Sequence, residues 1–202
     1  MVGGYPRLNA YATDGNHPSL PVGCDDSSYN NILPMAPEDA CFGDNLRCAT
    51  INSCGSGEHF AKVEVIVDFA VDEVLDFVFV TELNTTLAKV KATDLQWRGF
   101  FSWWSAQDVQ QSYYDGILLL VCDEWAKYVQ KVDYWKGHLL WVDFAFPGGL
   151  RLRCICVYAS PVPQEACPMV TRQHGVLTSA SALGYQIILA GDLNGVFDAA
   201  YD

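Results

Sequence analysis

Basic residues are scarce in this chain of 202 residues: 12 Lys and Arg stand against 24 Asp and Glu, giving a formal net charge of −12. A general nucleic-acid binder normally carries a basic face that replaces phosphate counterions, and this balance does not look like one. Carboxylates in excess suit a site for a hard divalent cation, although solubility accounts for most of the charge. Long apolar runs are missing too. None is longer than Ile117 to Cys122, far too short to cross a bilayer. Met1 to Pro21 lack the basic start and apolar core of a secretory signal. The expectation is an intracellular protein, cytoplasmic or nuclear, with no membrane association and no obligate protein partner.

No C-x2-C pair occurs, which removes the usual spacing of a structural zinc site even though Cys24, Cys41, Cys48 and Cys54 crowd the first quarter. The eight cysteines are expected as free thiols. Cys154 and Cys156 alternate within a strand pattern and so face one side, as core thiols do. There is no internal repeat and no low-complexity tract. What the chain does have is apolar mass: half of its residues are hydrophobic and 13% aromatic, enough for one packed core.

Residues 1–44 are rich in Gly, Pro, Asn, Asp and Ser without periodicity and read as a loop-rich or disordered leader to a domain over 45–202. A strand is predicted over Leu46–Ile51. A helix follows over Glu58–Val74, where Phe60, Val63, Ile66, Val67, Ala70 and Val74 recur at three- and four-residue steps. Asp76–Thr81 is a β-branched and aromatic run short enough for a buried strand. Further strands are predicted over Gly99–Trp104, Gly116–Cys122, Tyr128–Tyr134, Leu139–Phe146 and Leu150–Tyr158. The last two form a hairpin through Pro147-Gly148-Gly149. Pro161 and Pro163 break the chain, a helix runs over Met169–Leu183 to a stop at Gly184, and Gln186–Ala190 is a buried final strand. Helices at both ends of a run of antiparallel strands predict a mixed α/β sandwich rather than a doubly wound sheet.

Three strand ends finish in polar residues: Ile51 leads to Asn52, Thr81 to Glu82, and Ala190 to Gly191-Asp192-Leu193-Asn194. Strands ending together would gather two amides and two carboxylates at one sheet edge. That is the equipment of phosphoryl transfer: one carboxylate for Mg²⁺, a second to orient or deprotonate water, amides to donate to phosphate. Taken singly, Asn52 reads as well as a turn former and Glu82 as a helix-start carboxylate. Asp192 leaves a strand through a glycine that permits an unusual turn.

The series resembles the endonuclease/exonuclease/phosphatase superfamily, which has the DNase I-like fold, in the style of LINE-type retroelement and abasic-site endonuclease domains. Leu46 to Asn52 is similar to the family's first strand and its Asn. Asp76 to Glu82 is similar to the strand bearing its metal-binding Glu, with Thr81-Glu82-Leu83 in place of the usual Gln-Glu-Thr/Ser. Ser112 to Val121, Cys154 to Pro161 with its Tyr158, and Gly191-Asp192-Leu193-Asn194 with trailing Asp198 and Asp202 complete the match. The resemblance implies an α/β (α+β), four-layer sandwich of two packed mixed sheets, and a Mg²⁺- or Mn²⁺-dependent phosphodiester hydrolase acting on DNA as an endonuclease. It implies Glu82 on the metal, Asn52 on metal or phosphate, Asp192 on the attacking water and Asn194 on the transition-state phosphate. Tyr114 and Tyr158 are candidate substrate contacts, or else core tyrosines. The family's later strands and closing Asp-His pair have no counterpart, since His17, His59, His138 and His174 all precede the Gly-Asp-Leu-Asn motif. The expectation is therefore a domain incomplete at its C-terminus. The alternatives are an inactive relic serving as an interaction module, and a phosphoinositide or sphingomyelin phosphodiesterase or phosphatase.

Overall fold

A computed structural model describes residues 46–92, 97–107, 116–160 and 163–194. The expected leader, Tyr114, Asp198 and Asp202 lie outside those residues. Strand β1 (Cys48–Asn52) runs parallel to β2 (Phe77–Thr81), with Asn52 opposite Thr81. Parallel neighbours need a long crossover, and α1 (Ala61–Asp72) supplies it after a short 3-10 turn at Glu58–Phe60. Strands β3 (Phe100–Ser105) and β4 (Ile117–Cys122) are antiparallel to each other, and β4 to β2, giving a sheet ordered β1-β2-β4-β3. The second sheet has β5 (Val129–Trp135), β6 (Leu139–Ala145), β7 (Arg151–Tyr158) and β8 (Gln186–Asp192) in that order. Here β5, β6 and β7 are antiparallel, and β8 returns parallel to β7 through α4 (Pro163–Ala182).

Strand β2 shows why the sheets stack. It is buried along its whole length, so both of its faces must be covered. By alternation Phe77 and Phe79 face the second sheet, joined by Ile117, Leu119 and Val121 of β4 and by Leu140, Val142, Phe144, Cys154 and Cys156. Val78 and Val80 face the other way, onto Phe60, Val63, Ile66, Val67 and Ala70. Each such aliphatic side chain, fully buried, stabilises by about 1.5–3 kcal/mol. On the far side Val176 of α4 packs against Leu139, Trp141, Ile155 and Val157. The layers run helix, sheet, sheet, helix: the predicted four-layer α/β sandwich.

A buried ion pair holds α4 in place. Arg153 donates from Nε and Nη2 to the Asp143 carboxylate at 2.6 and 2.7 Å, and from Nη1 to the Val176 carbonyl and Ser179 Oγ at 3.0 and 2.8 Å. Its guanidinium also lies 5.0 Å from the Tyr185 ring centroid. At the end of the sandwich remote from the strand ends singled out above, the Asp76 carboxylate accepts from the Arg47 amide and from Trp125 Nε1 at 2.8 and 2.9 Å.

Four expectations need correction. Val74 does not extend the apolar face of α1, because the helix ends at Asp72 and Val74 sits exposed with φ 53°. Pro163 opens α4 instead of breaking the chain. Pro168 lies inside that helix, so a reading that bars proline from helix interiors starts the helix at Met169, too late. Strand β8 is not buried: it is a half-exposed sheet edge with Leu189 outward, and it continues through Gly191 to Asp192. Two short helices were not foreseen, α2 (Leu87–Ala92) and α3 (Asp123–Ala126). Thr86 starts α2 by accepting the Lys89 amide on its hydroxyl at 3.3 Å, a cap followed by too few residues to set a period. The Gly184 stop holds. Its φ is 73°, and the Gly184 and Tyr185 amides donate to the Ser181 and Ala180 carbonyls. Among the described residues no helix is long and apolar enough to cross a membrane.

Candidate functional site

The site follows from alternation carried to the strand ends. On β1, Ala49 and Ile51 pack outward beneath α1, so Cys48, Thr50 and Asn52 face the seam between the sheets. On β8, Ile188 and Ala190 pack into that seam, and Asp192 has the same parity. Both strands run toward the same edge. Asn52 Nδ2 accordingly donates to Asp192 Oδ2 at 3.2 Å, across 140 positions of sequence.

The two ends are built alike. Asn52 Oδ1 accepts the Cys54 amide at 3.0 Å, and Asp192 Oδ1 accepts the Asn194 amide at 2.9 Å, each an Asx turn closing on a residue two places ahead. Cys54 and Asn194 both take left-handed conformations, with φ 46° and 43°. The turns also fix which way the side chains point. With Oδ1 engaged by its own loop, and with Cys54 Sγ a further 3.4 Å contact on that oxygen, Asn52 turns its NH₂ toward Asp192. Asn194 Nδ2 donates to the Ala159 carbonyl at 2.6 Å, tying the loop after β8 to the end of β7. Gly191 is demanded by packing. A Cβ there would sit 2.0 Å from the Val157 carbonyl oxygen, and φ is 134°.

Glu82 follows β2 at the same edge and is part-exposed, with left-handed φ 55°. Its carbonyl accepts the Gly55 amide at 2.6 Å, so the loop that carries Asn52 and the residue expected on the metal are joined by backbone. Ser53 is buried there, with Oγ 2.9 and 3.1 Å from the Thr81 and Glu82 carbonyls, sharing one donor between them. Thus the structure brings Asn52, Asp192 and Asn194 into one hydrogen-bonded set and puts Glu82 beside it. Tyr158 differs from the other candidates. It is 2% exposed, and its ring lies in the core, stacked on His138 at 5.9 Å, which is the position of a packing tyrosine. Tyr114 lies outside the described residues.

Sequence reasoning missed Ser53, Cys54, Lys62 and His138. Nothing in the sequence Asn52-Ser53-Cys54 signals which carbonyls its side chains meet. His138 is buried at the same edge, its Nδ1 3.2 Å from the Tyr158 carbonyl, because β6 begins where β7 ends. Cys154 and Cys156 are buried core thiols, as expected, and burial raises both. Cys48 is exposed at the start of β1, and partial desolvation with Asp76 nearby pushes its thiol up to about 11. Among the described residues no group of three or more His, Cys, Asp or Glu is arranged to hold a metal ion. The carboxylate and amide oxygens at the edge are donors of the kind that Mg²⁺ or Mn²⁺ takes. A Mg²⁺ site needs only one or two protein carboxylates beside substrate phosphate and water.

No family model matches the chain, and no curated protein matches it in sequence. Solved structures do match in fold. A 3' phosphatase, NExo, from Neisseria bound to product DNA hairpin gives a TM-score of 0.58 at 16% identity, covering 78% of this chain and 62% of that one. The AP endonuclease LMAP from Leishmania major gives 0.55 at 14%, covering 72% and 54%. The APE2 catalytic domain from Xenopus laevis gives 0.53 at 16%, covering 73% and 57%. The chain spans between 54% and 62% of those structures. Its fold is the DNase I-like α/β sandwich.

Proposed function

We propose that the domain over 45–202 is a Mg²⁺- or Mn²⁺-dependent phosphodiester hydrolase of the DNase I-like superfamily, acting on DNA as an endonuclease. The observation that carries this reading is the Asn52–Asp192 contact at the sheet edge beside Glu82. In this reading Glu82 holds the cation, with Asn52 next to it on metal or phosphate. The cation supplies charge neutralisation of the phosphate oxygens. Asp192, its orientation set by the Asn52 amide and the Asn194 backbone, positions the attacking water and takes its proton. Asn194, now donating to the Ala159 carbonyl, lies within reach of the same edge to hold phosphate. The Tyr158 ring has no substrate contact, because it lies in the core.

DNA is favoured over a phosphoinositide or sphingomyelin because the similar structures are named for an AP endonuclease and for a 3' phosphatase bound to product DNA hairpin. The test is nicking of supercoiled plasmid with Mg²⁺ and with EDTA. Asp192→Asn should slow nicking on the order of 10²- to 10⁴-fold, and Glu82→Gln should abolish the Mg²⁺-dependent nicking. Equal nicking by wild type and both variants would sink the assignment.

A further inference from the structure

Between Asn52 and α1 the chain continues along β2 without being a strand. The Ser53, Gly55 and Ser56 amides donate to the Thr81, Glu82 and Leu83 carbonyls at 3.0, 2.6 and 2.7 Å. One face of this loop is therefore bound to the segment bearing Glu82. Its opposite side is held by a single cation. Lys62, in the first turn of α1, donates from Nζ to the Ser53 carbonyl at 3.0 Å and to the Cys54 carbonyl at 2.8 Å. Its own amide donates to the Ser56 carbonyl at 3.1 Å, closing the loop at its far end. Gly57 keeps the approach open, since a Cβ there would lie 3.2 Å from both Lys62 N and Cγ.

The two carbonyls that Lys62 grips flank the Cys54 amide, which orients the Asn52 side chain. If the grip is released, Cys54 is free to leave its left-handed conformation and the Asx turn loses its donor. The Asn52 amide can then rotate away from Asp192. We propose that Lys62 is a positioning residue: it clamps the 52–57 loop so that Asn52 Nδ2 meets Asp192. Its relevance to catalysis rests on the phosphodiesterase reading above; its effect on Asn52 does not. A lysine suits the task because its ammonium makes several charge-assisted bonds to carbonyls that an apolar side chain of the same length cannot make.

The test uses the whole chain carrying Lys62→Met, which keeps the stem and removes the charge, and Lys62→Arg as the conservative rescue. The first readout is the Asn52 side-chain amide signal in NMR, which in wild type should shift when Asp192 is changed to Asn. The second is hydrogen exchange at the Gly55 and Ser56 amides. In Lys62→Met the Asn52 signal should stop responding to Asp192→Asn. Exchange at Gly55 and Ser56 should rise at least roughly tenfold while β4 amides are unchanged. Plasmid nicking should lose kcat by roughly 10- to 100-fold at constant KM, and Lys62→Arg should restore all three. An unchanged Asn52 signal and unchanged exchange would overturn the clamp, as would a rise in KM alone, which would make Lys62 a substrate contact. Should Lys62→Met fail to fold, Lys62→Gln, which replaces the ammonium with a shorter neutral amide, is read in the same way. A wild-type protein that never nicks would overturn the enzyme reading, and the NMR and exchange results would still decide the clamp.

Discussion

The β1–α1–β2 unit and the β7–α4–β8 unit share one plan, parallel strands joined through a helix that covers the outer face of its sheet, yet the two helices are fastened by opposite chemistry. Under α1 the contact is apolar: Val63, Ile66, Val67 and Ala70 lie on Val78 and Val80. Under α4 it centres on a buried ion pair, Asp143 with Arg153, whose guanidinium reaches on to the helix backbone and to Ser179. The difference tracks composition. α1 lays a continuous apolar stripe on its sheet, whereas α4 adds to its buried Met169, Val176 and Ala180 a directional polar link. An ion pair sets register at some cost in desolvation, and an apolar stripe tolerates sliding. The unit ending in Asp192 is thus the more rigidly indexed of the two.

The largest effect is expected at the ion pair. Asp143→Ala leaves a buried guanidinium unpaired and should destabilise by about 3–5 kcal/mol, read from urea unfolding. The double change Asp143→Leu with Arg153→Met should recover most of that loss, and failure to recover would mean that the link to α4, not the unpaired charge, carries the stability. Gly191→Ala comes next. Its Cβ has no room against Val157, so β8 must move from β7 at a cost of about 1–3 kcal/mol. The larger consequence should be a loss of nicking, since Asp192 moves with the strand; full activity in a destabilised variant would separate Asp192 from the reaction. The smallest effect is expected beneath α1, where Ile66→Val should cost about 0.5–1.5 kcal/mol by thermal unfolding with no change in nicking. A cost near that of Asp143→Ala would erase the contrast between the two units.

Most of the layering was legible in the sequence, because period is a local property. The helical steps from Phe60 to Ala70, the run Phe77–Thr81 and the alternation through Cys154 and Cys156 each announce what they bury. The three polar strand ends were legible for the same reason. What escaped was relational. That β8 is an exposed edge depends on which strands flank it, and four apolar residues in a row look the same at an edge as in a centre. The left-handed turn at Glu82 and the two carbonyls facing Lys62 arise only once β1 and β2 are in register. His138, which no motif marks, reaches the edge because β6 begins where β7 ends.

Each sheet is drawn from one continuous stretch of chain, the first from Cys48 to Cys122 and the second from Val129 to Asp192. The Asn52–Asp192 contact bridges those stretches at a separation of 140 residues, while the ladders on either side form within their own half. Loop-closure entropy makes such a contact a late event in folding. A partly assembled chain with both sheets formed would still have Asn52 and Asp192 apart. Chemistry at that edge would therefore begin only when the two halves dock, and its recovery on refolding would time that last step.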